Sequence, residues 1–109
     1  MESILTTIKK MLGIHEDNHF DLDIITHINA ALGDLTDVNV GPPEGFIIYD
    51  DTAIWSDFTS GDLRLERVKT FVYAKVKLSF DPPQSSTMAD ALKRMADEAL
   101  WRLSVVADK

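Results

Sequence analysis

The chain contains no cysteine. That excludes disulfides and thiolate metal sites, and it is compatible with a reducing cytoplasm. No apolar run approaches the roughly 18 residues that a membrane-spanning helix needs. The opening MESILTTIKKMLGI lacks a long apolar core followed by a small-residue cleavage site, so no secretory signal peptide is expected. Basic charge is scarce: 11 Lys and Arg stand against 18 Asp and Glu, for a net charge of −7. Phosphate contacts require a basic footprint, so a nucleic-acid binder is not expected. The balance suits a soluble protein, or one that lets DNA pass without sticking.

Catalytic signatures are missing as well. There is no Gly-x-Ser-x-Gly and no dinucleotide fingerprint. The glycines of VNVGPPEG (38–45) are not followed by Gly-Lys-Ser/Thr, so they make no phosphate loop. Carboxylates are many but scattered, and Asp50-Asp51 fall at an expected turn tip, where Asp is common for backbone reasons. We therefore expect no catalytic residue, no cofactor and no metal site. One motif tests that expectation. His15-Glu16-Asp17-Asn18-His19 matches H-E-x-x-H, the zinc-protease pattern, which needs both histidines on one helical face and a third ligand. Here it follows Gly13, a helix stop, and precedes a new helix start at Asp21. Nothing marks His27 as the third ligand. A solvated loop is the expectation.

The 109 residues, 45% hydrophobic and 27% charged, fit a single globular domain over 1–109. Its organising stretch is DLRLERVKTFVYAKVKLSF, a helix expected over about 62–80. Leu65, Val68, Phe71, Val72 and Val76 recur at helical spacing. Leu63, Tyr73, Ala74, Leu78 and Phe80 widen that face, and a helix apolar on several sides is surrounded by others. Asp81-Pro82-Pro83 ends it. Its polar remainder is mostly basic, with lysines expected to snorkel past the core.

Around it, Ile4, Leu5, Ile8, Met11 and Leu12 predict a helix over about 3–12, capped by Ser3 and stopped by Gly13. Ile24, Ile25, Ile28, Ala31, Leu32 and Leu35 predict a second, from Asp21 to about Thr36. His27 and Asn29 lie off that stripe and read as ordinary polar positions. FIIYDDTAIW predicts a short β-hairpin-like insertion at about 46–55, which must pack on helices to be stable. A helical turn is expected at Ser56-Asp57-Phe58, with Trp55 and Phe58 either core pins or contact residues. Thr87 with Asp90 resembles a capping box for a long last helix, about 87–106. Met88, Leu92, Met95, Ala96, Ala99, Leu103 and Val106 share its inner face, and opposite charges such as Glu98–Arg102 pair on the outer side. The expected fold is mainly α, a small bundle of four to five helices around the 62–80 helix.

Trp101 breaks the last pattern. With Met88 set at 0° and about 100° per residue, Trp101 lies near 220°, away from the apolar face, with Val105 four residues on beside it. Either another part of the monomer covers this Trp, or it contacts a neighbouring molecule, since Trp is enriched among interface hot spots. Trp101, Val105, Trp55 and Phe58 are the candidate interface residues.

FDLDIITHIN (20–29), VGPPEGF (40–46), TAIWSDF (52–58), VKTFVYAKVKLSFDPPQSS (68–86) and LWRL (100–103) carry a resemblance. In this order they resemble the small head–tail connector (adaptor) proteins of long-tailed bacteriophages over nearly the whole chain. The HEDNH loop is not part of it. The resemblance implies a structural virion protein at the head–tail junction, made in the host bacterial cytoplasm. It implies a homo-oligomeric ring that docks under the portal protein, joins it to the next head-completion or tail protein, and surrounds the DNA channel without specific DNA binding. About twelve copies at −7 each would carry roughly −84, a repulsive lining where enough of it faces the bore. Neither a cofactor nor a membrane is implied. Two rival readings stand beside it. An acidic DNA mimic, or other protein-binding module, needs carboxylates concentrated on one surface, whereas Lys and Arg alternate with them along the last two helices. A small metal-dependent hydrolase through His15 and His19 is opposed by the loop context.

Overall fold

The computed structural model describes residues 2–14 and 16–107. Among these residues five α-helices follow one another: α1 (Ile4–Leu12), α2 (Asp21–Asp37), α3 (Trp55–Thr59), α4 (Val68–Phe80) and α5 (Ser86–Ala107). Among the described residues no helix is long and apolar enough to cross a membrane. All five helices feed a single buried cluster.

The centre is α4, as its all-round apolar pattern requires. Val68, Phe71, Val72, Ala74 and Val76 are buried, and the helix packs most extensively against α5, then α2, then α1. Its lysines run outward to carboxylates: Lys69 to Glu66 at 2.8 Å, Lys77 to Asp81 at 2.8 Å, and Lys75 towards Asp34 at 3.9 Å. The helix is shorter than expected at its start. Residues Leu63–Leu65 form a separate 3-10 turn. Asp62 caps that turn: its carboxylate accepts the Arg64 N–H at 2.9 Å and holds the Arg64 guanidinium at 2.9 Å. Glu66 and Arg67 separate it from α4.

The outer helices follow their stripes. In α1, Ser3 Oγ accepts the Thr6 N–H at 3.1 Å, and Gly13, at φ 80°, closes the end by donating to Lys10 C=O. In α2, Ile24, Ile28, Ala31, Leu32 and Leu35 are buried. In α5 the capping residue is Ser85, whose Oγ accepts the Met88 N–H at 3.4 Å and whose C=O accepts the Ala89 N–H at 3.0 Å, in place of the Thr87–Asp90 box. Its buried face centres on Ala96, Ala99 and Leu103, leaving Met88 and Met95 exposed. Two alanines let the long helix lie close on α4.

The hairpin expected at 46–55 is not formed; the described residues contain no strand, only an isolated antiparallel bridge between Ser3 and Ile54. The chain satisfies this segment differently. Asn29, on α2, donates from Nδ2 to Ile48 C=O at 3.0 Å and accepts the Ile48 N–H on Oδ1 at 2.8 Å. A side-chain amide thus stands where a neighbouring strand would. Further on, Ala53 C=O accepts the Ile4 N–H at 2.9 Å. The segment is pinned to α2 and to the start of α1 rather than folded on itself. Asn29, which reads in sequence as an ordinary polar position, holds the insertion in place.

Candidate interaction surface

Trp55 and Phe58 lie in the interior. Trp55 is 6% exposed and Phe58 1%. A buried indole needs a partner for its N–H. Trp55 Nε1 donates to Thr7 Oγ1 at 3.1 Å, and the Thr7 hydroxyl donates to Ser3 C=O at 2.7 Å. This relay ties α3 to the first turn of α1. Asp57 starts α3 by accepting the Ile54 N–H at 3.0 Å. Phe58 meets Phe46 edge to face at 5.5 Å between centroids, and its ring fills the space beside Gly41, at φ 86°, where a Cβ would come within 2.4 Å. Both aromatics act as core pins within the chain.

Trp101 and Val105 lie on the outside. Trp101 is 63% exposed and Val105 39%, on the side of α5 turned away from Ala96, Ala99 and Leu103. Among the described residues no other element covers the indole. Its immediate neighbour is Arg102, whose guanidinium carbon sits 5.9 Å from the ring centroid while its Nε bonds Glu98 at 3.1 Å. An arginine held by a carboxylate beside an open indole leaves a flat apolar face with a charged rim. That is the composition enriched at protein contacts.

The described part of the histidine motif, residues 16–19, is non-helical. His15 is outside the described residues. His19 is exposed; its N–H donates to Asp17 Oδ1 at 2.8 Å, a loop-forming bond, and its ring meets Phe20 edge-on. His27 faces Phe80 across 6.4 Å. Among the described residues no cluster of three metal-ligating side chains occurs.

The same segment holds a feature that sequence reasoning missed. Lys9 is buried, with its ammonium 2.8 Å from Asn18 Oδ1 and 2.8 Å from Asp21 Oδ1. It staples α1 to the start of α2 across the loop. The signal was its position four residues after Leu5, beside the apolar stripe rather than opposite it.

The shifted ionisations belong to exposed turns. The hydroxyl of Thr52, then its N–H, bonds Asp50 at 2.6 and 2.9 Å and holds that carboxyl below its usual range. Bonds from the Arg64 side chain and N–H do the same to Asp62, and the Asp62 carboxylate in turn raises Arg64. In each case the partner is two residues away in the chain, so these contacts shape the turn backbone.

The family model described as phage connector protein matches residues 4–109. No curated protein and no solved structure matches the chain.

Proposed function

The chain belongs to the phage connector protein family, and from that membership we propose that it is a structural subunit of the virion head–tail junction. About twelve copies close into a ring, the product of one head-to-tail contact repeated. The ring sits between the portal and the next head-completion or tail protein, and DNA passes through it without specific binding. The whole chain works as one unit by binding rather than catalysis. In support, α1 to α5 share one core, and α4 and α5 do not present a single-signed acidic face as a DNA mimic would: α4 carries lysines and no carboxylate, and in α5 Lys93, Arg94 and Arg102 are interspersed with Asp90, Asp97 and Glu98.

The observation that carries the assembly reading is Trp101, open on the free side of α5 with Val105 beside it. Burying such an anchor at a subunit contact typically contributes about 2–4 kcal/mol, or roughly 30-fold to 1000-fold in affinity. Native mass spectrometry of the protein with its portal tests it. Trp101→Ala should keep its unfolding midpoint within a few degrees, because the indole is packed against no core, and should lose the ring or the docked complex. A folded mutant that still assembles removes Trp101 from the contact. A mutant that unfolds shows that the indole supports the monomer instead.

A further inference from the structure

The segment Phe46–Tyr49 has the composition of a strand but, among the described residues, pairs with no strand. It combines Phe, Ile, Ile and Tyr, residues that favour the extended pleat. Burial alternates along it: Phe46 is partly buried, Ile47 is 52% exposed, Ile48 is 1% exposed and Tyr49 is 80% exposed. Asn29 bonds both the N–H and the C=O of Ile48. For one amide group to reach both, the two must point to the same side, which is the extended conformation. In that conformation the peptide groups of Ile47 and Tyr49 point the opposite way. Among the described residues, neither Ile47 nor Tyr49 makes a backbone hydrogen bond. One edge is therefore capped by Asn29, and the other is open.

Proteins usually blunt an open edge with lysine, proline or a covering element. Here none of these is present: the prolines, Pro42 and Pro43, precede the segment, and it contains no lysine. Its charged neighbours are of one sign. Between His27 and Arg64 there is no basic residue, against seven carboxylates. Beside Tyr49 opens a cleft of about 360 Å³ lined by Leu5, Asn18, Asp21, Ile25, Asp50 and Asp51. Asp21 is engaged by Lys9, but among the described residues no cation pairs with the exposed carboxylates of Asp50 and Asp51.

We infer that Phe46–Tyr49 is an acceptor edge for β-strand addition, and that its occupant is an extended, lysine- or arginine-bearing strand of a different protein. Main-chain bonds to Ile47 and Tyr49 supply the affinity, and alternate side chains of the incoming strand supply the specificity. A basic side chain on that strand enters the cleft against Asp50 and Asp51. A second copy of this chain does not fit. Its own edge carries the same carboxylates, and each basic residue described lies within a helix or helical turn, or directly before α4 as Arg67 does. This surface is independent of the Trp101 contact.

The probe is a peptide of roughly nine residues alternating valine and lysine, about 30 Å long when extended. Its valine–glutamate counterpart serves as control. Amide exchange is followed residue by residue on the isotopically labelled protein. The lysine peptide should slow exchange at Ile47 and Tyr49 by about tenfold or more at saturation, leave the already bonded Ile48 little changed, and be unmatched by the glutamate peptide. Ile47→Pro removes one open donor and should weaken binding about fivefold while leaving the melting temperature in place. Should that variant unfold, the paired change Asp50→Asn with Asp51→Asn, which keeps the backbone, should still weaken the lysine peptide and flatten its salt dependence. Three results overturn the inference: no protection at Ile47 and Tyr49, equal binding of both peptides, or protection that appears without peptide as protein concentration rises. The last would make the occupant a second copy.

Discussion

Replacing Asn29 by alanine tests how the insertion is held. The substitution removes two hydrogen bonds, at 2.8 and 3.0 Å, from the peptide groups of Ile48. Each is worth about 1 kcal/mol net, and a peptide group left without a partner away from water costs about 1–3 kcal/mol. Ile48 is itself a core residue at 1% exposure, so its backbone regains water only if the side chain leaves the core. The two routes, staying unbonded or pulling out, cost similar amounts, and we expect a loss of about 2–3 kcal/mol. For a chain of this length that lowers the melting temperature by roughly 10 °C. Urea unfolding should show a lower midpoint at an unchanged slope if the insertion stays docked, and a shallower slope if it is already released in the native state. Asn29→Asp sharpens the test. It keeps an acceptor for the Ile48 N–H but sets a carboxylate against the Ile48 carbonyl, so it should be no better than alanine. A fall below about 3 °C for Asn29→Ala, or a wild-type midpoint for Asn29→Asp, refutes the clamp.

Two further substitutions probe the packing. Gly41→Ala places a methyl where Phe58 Cζ stands 2.4 Å away, at a backbone φ of 86°; clash and left-handed strain together should cost about 3 kcal/mol or more. Adding Phe58→Leu should recover only the share due to the clash, and recovery of the whole loss would refute the backbone share. Lys9→Met preserves the stem but leaves Asp21 and Asn18 without their ammonium; with Asp21 about one-third exposed, the expected loss is about 1–2 kcal/mol, together with faster amide exchange in the loop before α2. A more stable Lys9→Met protein in urea would mean that desolvation of this pair exceeds its attraction.

Periodicity made the helices legible because each buries one face of its own. Ile24, Ile28, Ala31, Leu32 and Leu35 in α2, and Val68, Phe71, Val72 and Val76 in α4, are buried as their spacing requires. What periodicity cannot supply is the identity of the partner across the gap. FIIYDD has the composition of a strand, and its neighbour proved to be one side chain, 19 residues upstream, on a helix. Nothing in an isolated Asn at a helix flank announces that role. The separate turn before α4 was equally local: Asp62, just after Gly61, caps Leu63–Leu65, and the apolar spacing of Leu65 and Val68 runs across the interruption at Glu66–Arg67 without marking it. Of the four candidate interface residues, the pattern separated them only in part. It set Trp101 on the far side of α5, where it is, but could not tell that Trp55 would find Thr7 and that Phe58 would find Gly41.

Exposed apolar side chains are ordinary on a folded protein, so most of those here require no account; Leu22 and Leu63 are such cases. Trp101 and the 46–49 segment differ in kind. Each departs from a local rule that the rest of the chain obeys: a Trp on the charged side of an amphipathic helix, and a strand-forming run with no strand beside it. A sequence in which the other levels agree places such conflicts where function demands them. Internal compensation was available and was used elsewhere: Trp55 received a hydroxyl, Lys9 a carboxylate and Ile48 an amide. The indole of Trp101 and the peptide groups of Ile47 and Tyr49 received no partner of that kind. In a member of a family named for connecting, we propose that these exposed groups are the ones from which contacts to other proteins are built. Their separation also matters. One is a flat aromatic on a helix and the other a row of peptide groups flanked by acid, so they suit different chemistries. If both are used, an assembly assay on Trp101→Ala and a strand-addition assay on Ile47→Pro should fail independently, each variant keeping the other's function. A single substitution that abolishes both would place the two surfaces in one contact.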